Sequence, residues 1–346
     1  MQKKYSSIEL SYGFLFFIFH LCIEVVSYAL FYLRFQSHMV TFFVILYDFF
    51  AFCPQLLVGD FYNRNKKTNI GLMGAAFFVA AILLAKFDNF NIYLLSVLLL
   101  AIGNAFLHVC GAIATASVSQ NKIFPSSLFV AGGTFGIIIG RYLAHINIKT
   151  YILIIPVLII VLISIFTSKK WCKSSVKYID VDIVNEKHSH LVILLIVLIV
   201  VMVRSYMGFV IPINWKSEFY HSILLFTFLG IGKALGGLLC DKFGYKFVAT
   251  ISTLLCVPLI IIGKDFMIAS LFGMLLFSMT MSITYAMALS IIKNNPGVAF
   301  GVTTIGLFLG AVPVFFIKFD TFTSMVIVVL LSLISYVLLD ISLKNR

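Results

Sequence analysis

Apolar runs long enough to cross a bilayer recur from one end of this chain to the other, separated by short polar breaks. Hydrocarbon offers the backbone no hydrogen-bond partners, so spanning segments fold as helices or as closed barrels. Barrel strands read as short alternating segments, whereas these runs are continuous. The chain therefore reads as an all-α polytopic membrane protein. Of its 346 residues 62% are hydrophobic and only 11% charged, too few to clothe a water-soluble surface.

Twelve transmembrane helices are predicted, at about 10–33, 39–58, 69–86, 91–115, 125–146, 149–168, 190–211, 220–240, 246–264, 266–292, 297–317 and 321–341. Short connections force neighbours to run antiparallel. The one longer polar stretch, Ser168 to His190, carries Lys169, Lys170, Lys173, Lys177 and Lys187 among Asp180, Asp182 and Glu186. It divides the chain into an N-terminal six-helix bundle (1–168), a linker (169–189) and a C-terminal six-helix bundle (190–346).

Placing both termini in the cytoplasm puts Lys3, Lys4, Arg64, Lys66, Lys67, Lys122, the linker lysines, Lys242, Lys246, Lys293, Lys344 and Arg346 inside. Outside are only Arg34, Lys86, Arg141, Lys149, Lys216, Lys264 and Lys318. The positive-inside rule favours that orientation in a cell membrane. Anionic lipid at the inner surface accounts for the net charge of +12, so no nucleic-acid partner is expected. Met1-Gln2-Lys3-Lys4 precedes a run without a small-residue cleavage site, so the first helix reads as an uncleaved anchor. The six cysteines show no metal or redox spacing and read as small apolar fillers, so neither metal nor cofactor is expected.

A turn is repeated in the two halves. Leu56-Leu57-Val58-Gly59-Asp60-Phe61-Tyr62-Asn63-Arg64 ends the second span, and Gly236-Gly237-Leu238-Leu239-Cys240-Asp241-Lys242-Phe243-Gly244-Tyr245-Lys246 ends the eighth. Each sets an acid just past an apolar helix, then a tight turn, then base. Asp60 and Asp241 are the candidates for function there. They can cap a helix N-terminus or pair with a base, with Arg64, Lys233 and Lys246 nearby. Glycines recur as well. Span five continues from Pro125 through Gly132, Gly136 and Gly140, and span eleven from Pro296 through Gly301, Gly306 and Gly310. Glycines four apart open a groove for close helix packing.

On these residues the chain resembles the major facilitator superfamily. The second turn fits that family's signature loop. The first copy keeps Asp60 and Arg64 but has Leu56 for the leading glycine and Asn63 for the turn glycine. Gly103-Asn104-Ala105-Phe106-Leu107-His108-Val109-Cys110-Gly111 and Ala131-Gly132-Gly133-Thr134-Phe135-Gly136 look like the drug-efflux branch that includes fosmidomycin-resistance proteins. The resemblance implies two pseudo-symmetric six-helix bundles, alternating access, and a central cavity lined by spans one, four, seven and ten.

Ionisable groups at membrane depth are costly and rare, so each is a candidate for function. Span one carries His20 and Glu24 and span four Asn104 and His108, each pair four residues apart and so on one helical face. Asp48 lies in span two, Arg204 in span seven, Lys233 in span eight, and Thr284 and Tyr285 in span ten. In the implied architecture, Glu24, His20, Asn104, His108, Arg204 and Tyr285 converge on the cavity. Glu24 is the candidate proton carrier, His108 a relay or substrate ligand, and Arg204 an anion holder or counter-charge to Glu24. Asp48 reads as an ion-pair partner or a reporter of proton state.

The reading is a monomeric secondary transporter, not an enzyme, with protons and a small organic solute as partners. Efflux comes first, and uptake of an organic anion is the alternative. A metal site made by His20, Glu24, Asp48 and His108, or a bundle without transport, are the other classes.

Overall fold

The computed structural model describes residues 5–34 and 40–344; Lys3, Lys4 and Arg346 of the charge argument lie outside the described residues. Its apolar helices are α1 (Ser7–Arg34), α2 (Thr41–Arg64), α3 (Ile70–Leu84), α4 (Phe90–Ala116), α5 (Phe124–His145) and α6 (Thr150–Trp171). After the linker come α7 (His190–Val210), α8 (Phe219–Phe243), α9 (Tyr245–Gly263), α10 (Met267–Ile291), α11 (Pro296–Phe315) and α12 (Thr321–Ser342). The protein is an all-α polytopic membrane protein of two six-helix bundles. All but α3 are long and apolar enough to cross a bilayer by themselves; α3 has 15 residues, a rise of about 22 Å.

Several helices are interrupted, two of them beside a proline that removes a donor. Pro54 stands between Val40–Phe52 and Gln55–Arg64 and breaks α2. In α9 the turn Ile251–Leu255 is a π-helix just ahead of Pro258, whose ring nitrogen cannot close the normal ladder. The α10 helix breaks at Met279, between Met267–Ser278 and Thr280–Ile291.

Close packing is governed by glycine. The α5 helix lies along α1, and a methyl added to Gly132 would run into the Phe17 carbonyl. One at Gly136 would strike the Leu21 carbonyl and come within 2.8 Å of Glu24 Cβ, and one at Gly140 within 2.9 Å of the Val25 carbonyl. The three carbonyls, four residues apart on α1, match three glycines four apart on α5. The C-terminal half repeats this: α11 packs on α7, with Gly306 against Val201 and Gly310 against the Met202 carbonyl.

The two bundles meet along α5 with α8 and α2 with α11. Gly230 faces Phe135, Gly237 faces Ser127, Gly59 faces Gly297 and Gly301 faces Leu56. The linker crosses one end of the molecule, hereafter the linker side. Ile179 N–H donates to the Ala116 carbonyl at the end of α4 (3.0 Å). Lys293 after α10 pairs with Asp180 (2.9 Å), and Lys344 after α12 with Asp182 (2.7 Å) and Glu186 (2.8 Å). Hydrogen bonds to those two acids hold the Lys344 ammonium above its ordinary pKa.

Gly136→Ala is expected to lower stability by about 1–3 kcal/mol through overpacking. Gly208→Ala, where the nearest outside atom is 3.9 Å away, is expected to leave stability unchanged or raise it. Thermal midpoints in detergent check the pair; equal shifts would remove the α1–α5 contact as the reason for Gly136.

Candidate functional site

Near the middle of the N-terminal bundle, α1 and α4 each turn two polar side chains toward the other. His20 and Glu24 come from α1, Asn104 and His108 from α4, and all four are buried. Asn104 Nδ2 donates to Glu24 Oε1 and to Ser27 Oγ, each at 3.2 Å. Glu24 Oε1 lies 3.2 Å from His108 Nε2 and 3.6 Å from His20 Nε2. The two imidazoles meet edge to face, Nε2 to Nε2, at 2.7 Å.

The other ring nitrogens determine what that short contact means. His20 Nδ1 is 2.8 Å from the Phe129 carbonyl, and His108 Nδ1 is 3.0 Å from the Asn104 carbonyl. A carbonyl only accepts, so both Nδ1 atoms carry hydrogen. In two neutral rings both Nε2 atoms would then present lone pairs to each other at 2.7 Å, which is repulsive. One added proton between them turns the contact into a charge-assisted hydrogen bond. The arrangement thus calls for one imidazolium shared by the pair beside an ionised Glu24, an assembly with no net charge. A buried carboxylate or a buried imidazolium alone would be far more costly.

His20, Glu24 and His108 are also the one group of metal-ligand type among the described residues. Tetrahedral zinc at about 2.0–2.1 Å from each nitrogen would hold its ligand nitrogens about 3.3 Å apart. The observed 2.7 Å suits a proton between the rings, not a metal ion.

The seat of this cluster depends on residues that sequence reasoning had not placed there. A methyl at Gly133 would collide with the His20 ring, so the glycine is what admits the imidazole. Phe129 stacks on His20 with centroids 4.7 Å apart. Phe300 from α11 of the other bundle lies over His108 and meets Tyr285 edge to face at 5.3 Å. Glycine spacing hinted at the first; nothing in the local sequence marked Phe129 or Phe300.

Other expected members fall elsewhere. Arg204 does not join Glu24. It is buried inside the C-terminal bundle, where Nη2 donates to the Ser252 carbonyl (2.9 Å) and the Phe277 carbonyl (2.6 Å). Its guanidinium carbon lies 3.6 Å from the centre of the Phe277 ring. The reason is local. Ser252 belongs to the π turn of α9 and Phe277 precedes the break in α10, so both carbonyls are open to side-chain donors, and the ring adds cation–π attraction. Asp48 forms no ion pair among the described residues; the acid that acts on it is Glu24, so the expected basic partner is not there. Tyr285 is buried with its hydroxyl 3.5 Å from the Pro296 carbonyl, while Thr284 bonds back to its own helix. Lys233 lies at the seam between the bundles in a small pocket with Ser126, Ser127, Val130, Met281, Ser282 and Tyr285.

The two repeated turns differ in three dimensions. Asp241 accepts from Ile123 N–H (2.9 Å), Phe124 N–H (3.0 Å) and the Tyr5 hydroxyl (2.9 Å). It therefore caps the N-terminus of α5, in the opposite bundle, rather than the helix following its own turn. Burial first, and then the adjacent Asp241 carboxylate, hold the Tyr5 phenol well above its ordinary pKa, so it stays a donor. Lys122 sits over the Tyr5 ring at 4.2 Å and pairs with Glu9 at 3.7 Å. Gly244 takes φ 92°, and Lys246 pairs with Asp340 at 3.1 Å. Asp60, by contrast, pairs at 2.8 Å with its own neighbour Arg64, and α11 is capped by Asn295. In that corner the bundles meet through Gly59 on Gly297.

No protein-family model and no curated relative matches the sequence. The fold does match solved transporters. Superposition on a variant of the Escherichia coli fucose:proton symporter FucP gives a TM-score of 0.69 at 14% identity, covering 98% of this chain and 99% of that one. The proton:xylose symporter XylE bound to 6-bromo-6-deoxy-D-glucose gives 0.61 at 13% identity, covering 96% and 94%. The human organic anion transporter MFSD10 gives 0.61 at 13%, covering 96% and 100%. The chain shares the fold of these transporters, twelve helices in two six-helix bundles.

Asp241→Ala removes three hydrogen bonds across the linker side and is expected to cost about 1–2 kcal/mol as a lost cap. Maleimide labelling of the buried Cys240, in a chain with its other five cysteines replaced, should accelerate in that variant but not in Asp60→Ala. Equal labelling in both would show that the Asp241 cap does not hold the linker side closed.

Proposed function

We propose that this protein is a secondary transporter that moves a small organic solute across the cell membrane by alternating access, coupled to protons. The observation that carries the reading is the His20–His108 contact beside Glu24, an arrangement balanced by one proton within the N-terminal bundle and met on the His108 side by Phe300 of the other bundle. Removing that proton leaves two opposed lone pairs and an uncompensated carboxylate. The four side chains must then rearrange or admit water, and that is how proton occupancy would bias the bundles toward one arrangement.

The division follows as 1–168, 169–189 and 190–346, with the linker side and both termini in the cytoplasm and the chain acting as a monomer. The Asp241 cap, the Ser127–Ser282 contact at 2.9 Å and the Gly59–Gly297 approach then hold the cytoplasmic side closed. Export is the first direction considered, on the likeness of spans four and five to the efflux branch. Uptake of an organic anion is the second, favoured by lysine at the seam between the bundles and by neighbours named as symporters and as an organic anion transporter.

Proteoliposomes containing a pH-sensitive dye test the reading. Solute-dependent proton movement is expected in the wild type. It should fall at least tenfold in Glu24→Gln, with the folded protein retained. His108→Gln, which removes the acceptor of the shared proton, should behave alike. Undiminished proton movement in Glu24→Gln would remove Glu24 from the mechanism.

A further inference from the structure

We infer that Lys233 is the anchor of a carboxylate subsite at the seam between the bundles, so that the transported solute carries a carboxylate. The inference rests on the transport reading above.

Three observations lead to it. First, position: Lys233 lies between Gly230, which faces Phe135, and Gly237, which faces Ser127, so its stretch of α8 is held closely against α5. Lys233 lines a pocket together with Ser126 and Ser127 of α5 and Ser282 and Tyr285 of α10. Both bundles contribute walls, as a site that senses their separation requires.

Second, charge: among the described residues no acid lies within ion-pair reach of Lys233, and its Nζ donates no hydrogen bond. Three of the interior acids are committed elsewhere. Glu24, the one that acts electrostatically on Lys233, is occupied by His20, His108 and Asn104. Asp241 is occupied by two backbone N–H groups and Tyr5, and Glu9 by Ser6, Gln120 and Lys122. Among the described residues Asp48 makes no ion pair, and the charge that acts on it is that of Glu24. An ammonium at membrane depth calls for a counter-charge, and no acid among the described residues pairs with it directly.

Third, donors: Ser127 Oγ and Ser282 Oγ share one hydrogen bond of 2.9 Å, and Ser282 also reaches the Lys233 carbonyl at 3.2 Å. Hydroxyls reorient at little cost, so both can donate to an arriving oxygen. One ammonium and two hydroxyls suit the two oxygens of a carboxylate. In the present arrangement the pocket has room for about one water-sized group, near 10 Å³, so the carboxylate enters as α5 and α10 part. Entry breaks the Ser127–Ser282 contact, which ties binding to separation of the bundles on the linker side.

The test uses the full-length protein in detergent at constant ionic strength. Thermal shift and calorimetry are run with acetate, lactate and benzoate, each against its amide, and with chloride. Saturable stabilisation by at least one carboxylate, and by neither its amide nor chloride, is expected. Lys233→Gln should weaken that binding about tenfold or more, the effect of losing a charge-assisted hydrogen bond. Lys233→Arg keeps the charge, guards against a folding artefact, and should bind within a few-fold of wild type. No response of the wild type to any of the three carboxylates, a matching response to amide or chloride, or unchanged affinity in a folded Lys233→Gln would each overturn the subsite. These readouts need no proton gradient. Failure of Glu24→Gln to alter proton movement would sink the coupling scheme alone, and equal affinities of wild type and Lys233→Gln the carboxylate subsite alone.

Discussion

The contact on which most of this molecule depends is the backbone-to-backbone approach of α1 and α5. Four glycines, at 132, 133, 136 and 140, let α5 settle against the carbonyls of Phe17, Leu21 and Val25 and leave a notch for the His20 ring. Lipid tails are as apolar as the helices, so burial of apolar surface does not drive such packing; dispersion at short range does. Once α5 is that close, the Phe129 carbonyl lies within reach of His20 Nδ1 and fixes its tautomer. His20 Nε2 is thereby aimed at His108, and the proton count of the cluster follows from backbone geometry.

The same economy of charge runs through the bundle. With one proton shared by the two rings, Glu24, His20 and His108 carry no net charge together, and Asp241 is satisfied by two amide protons and a phenol. Arg204 is held by two carbonyls and an aromatic face, with Cys256 beside it. Those carbonyls are open to it because α9 and α10 are irregular there, one ahead of Pro258 and the other at Met279. The two halves have thus diverged in use while keeping one plan. The N-terminal half carries a His–Glu cluster between α1 and α4, while the arginine in the first helix of the C-terminal half is held by backbone carbonyls of its own bundle. The repeated turns have diverged likewise: Asp241 spans the two bundles, and Asp60 serves its own helix.

Helix number, the polar linker and the pseudo-repeat were legible in the sequence because each is local or periodic. A hydrocarbon slab selects lengths of apolar chain, and that selection is written in composition. The His20–Glu24 and Asn104–His108 pairs were legible for the same reason, since residues four apart share a helical face whatever the helix packs against. Asp241 was legible as a cap but not as the cap of α5, more than a hundred residues earlier in the chain. Arg204 misled because span assignment says which helix carries a charge but not which way the helix is turned.

From sequence alone, the chain's membrane habit, its twelve helices and the polar residues that share one helical face were determined, because hydrophobic length and helical spacing are properties of contiguous residues. Tertiary structure alone decided that His20 and His108 touch through Nε2, that Phe300 of the other bundle stacks on His108, and that Lys233 has no ion-pair partner among the described residues while Arg204 is sequestered. Those outcomes depend on the rotation of each helix about its axis. That rotation is set by where glycines allow close approach and where proline or a π turn frees a carbonyl.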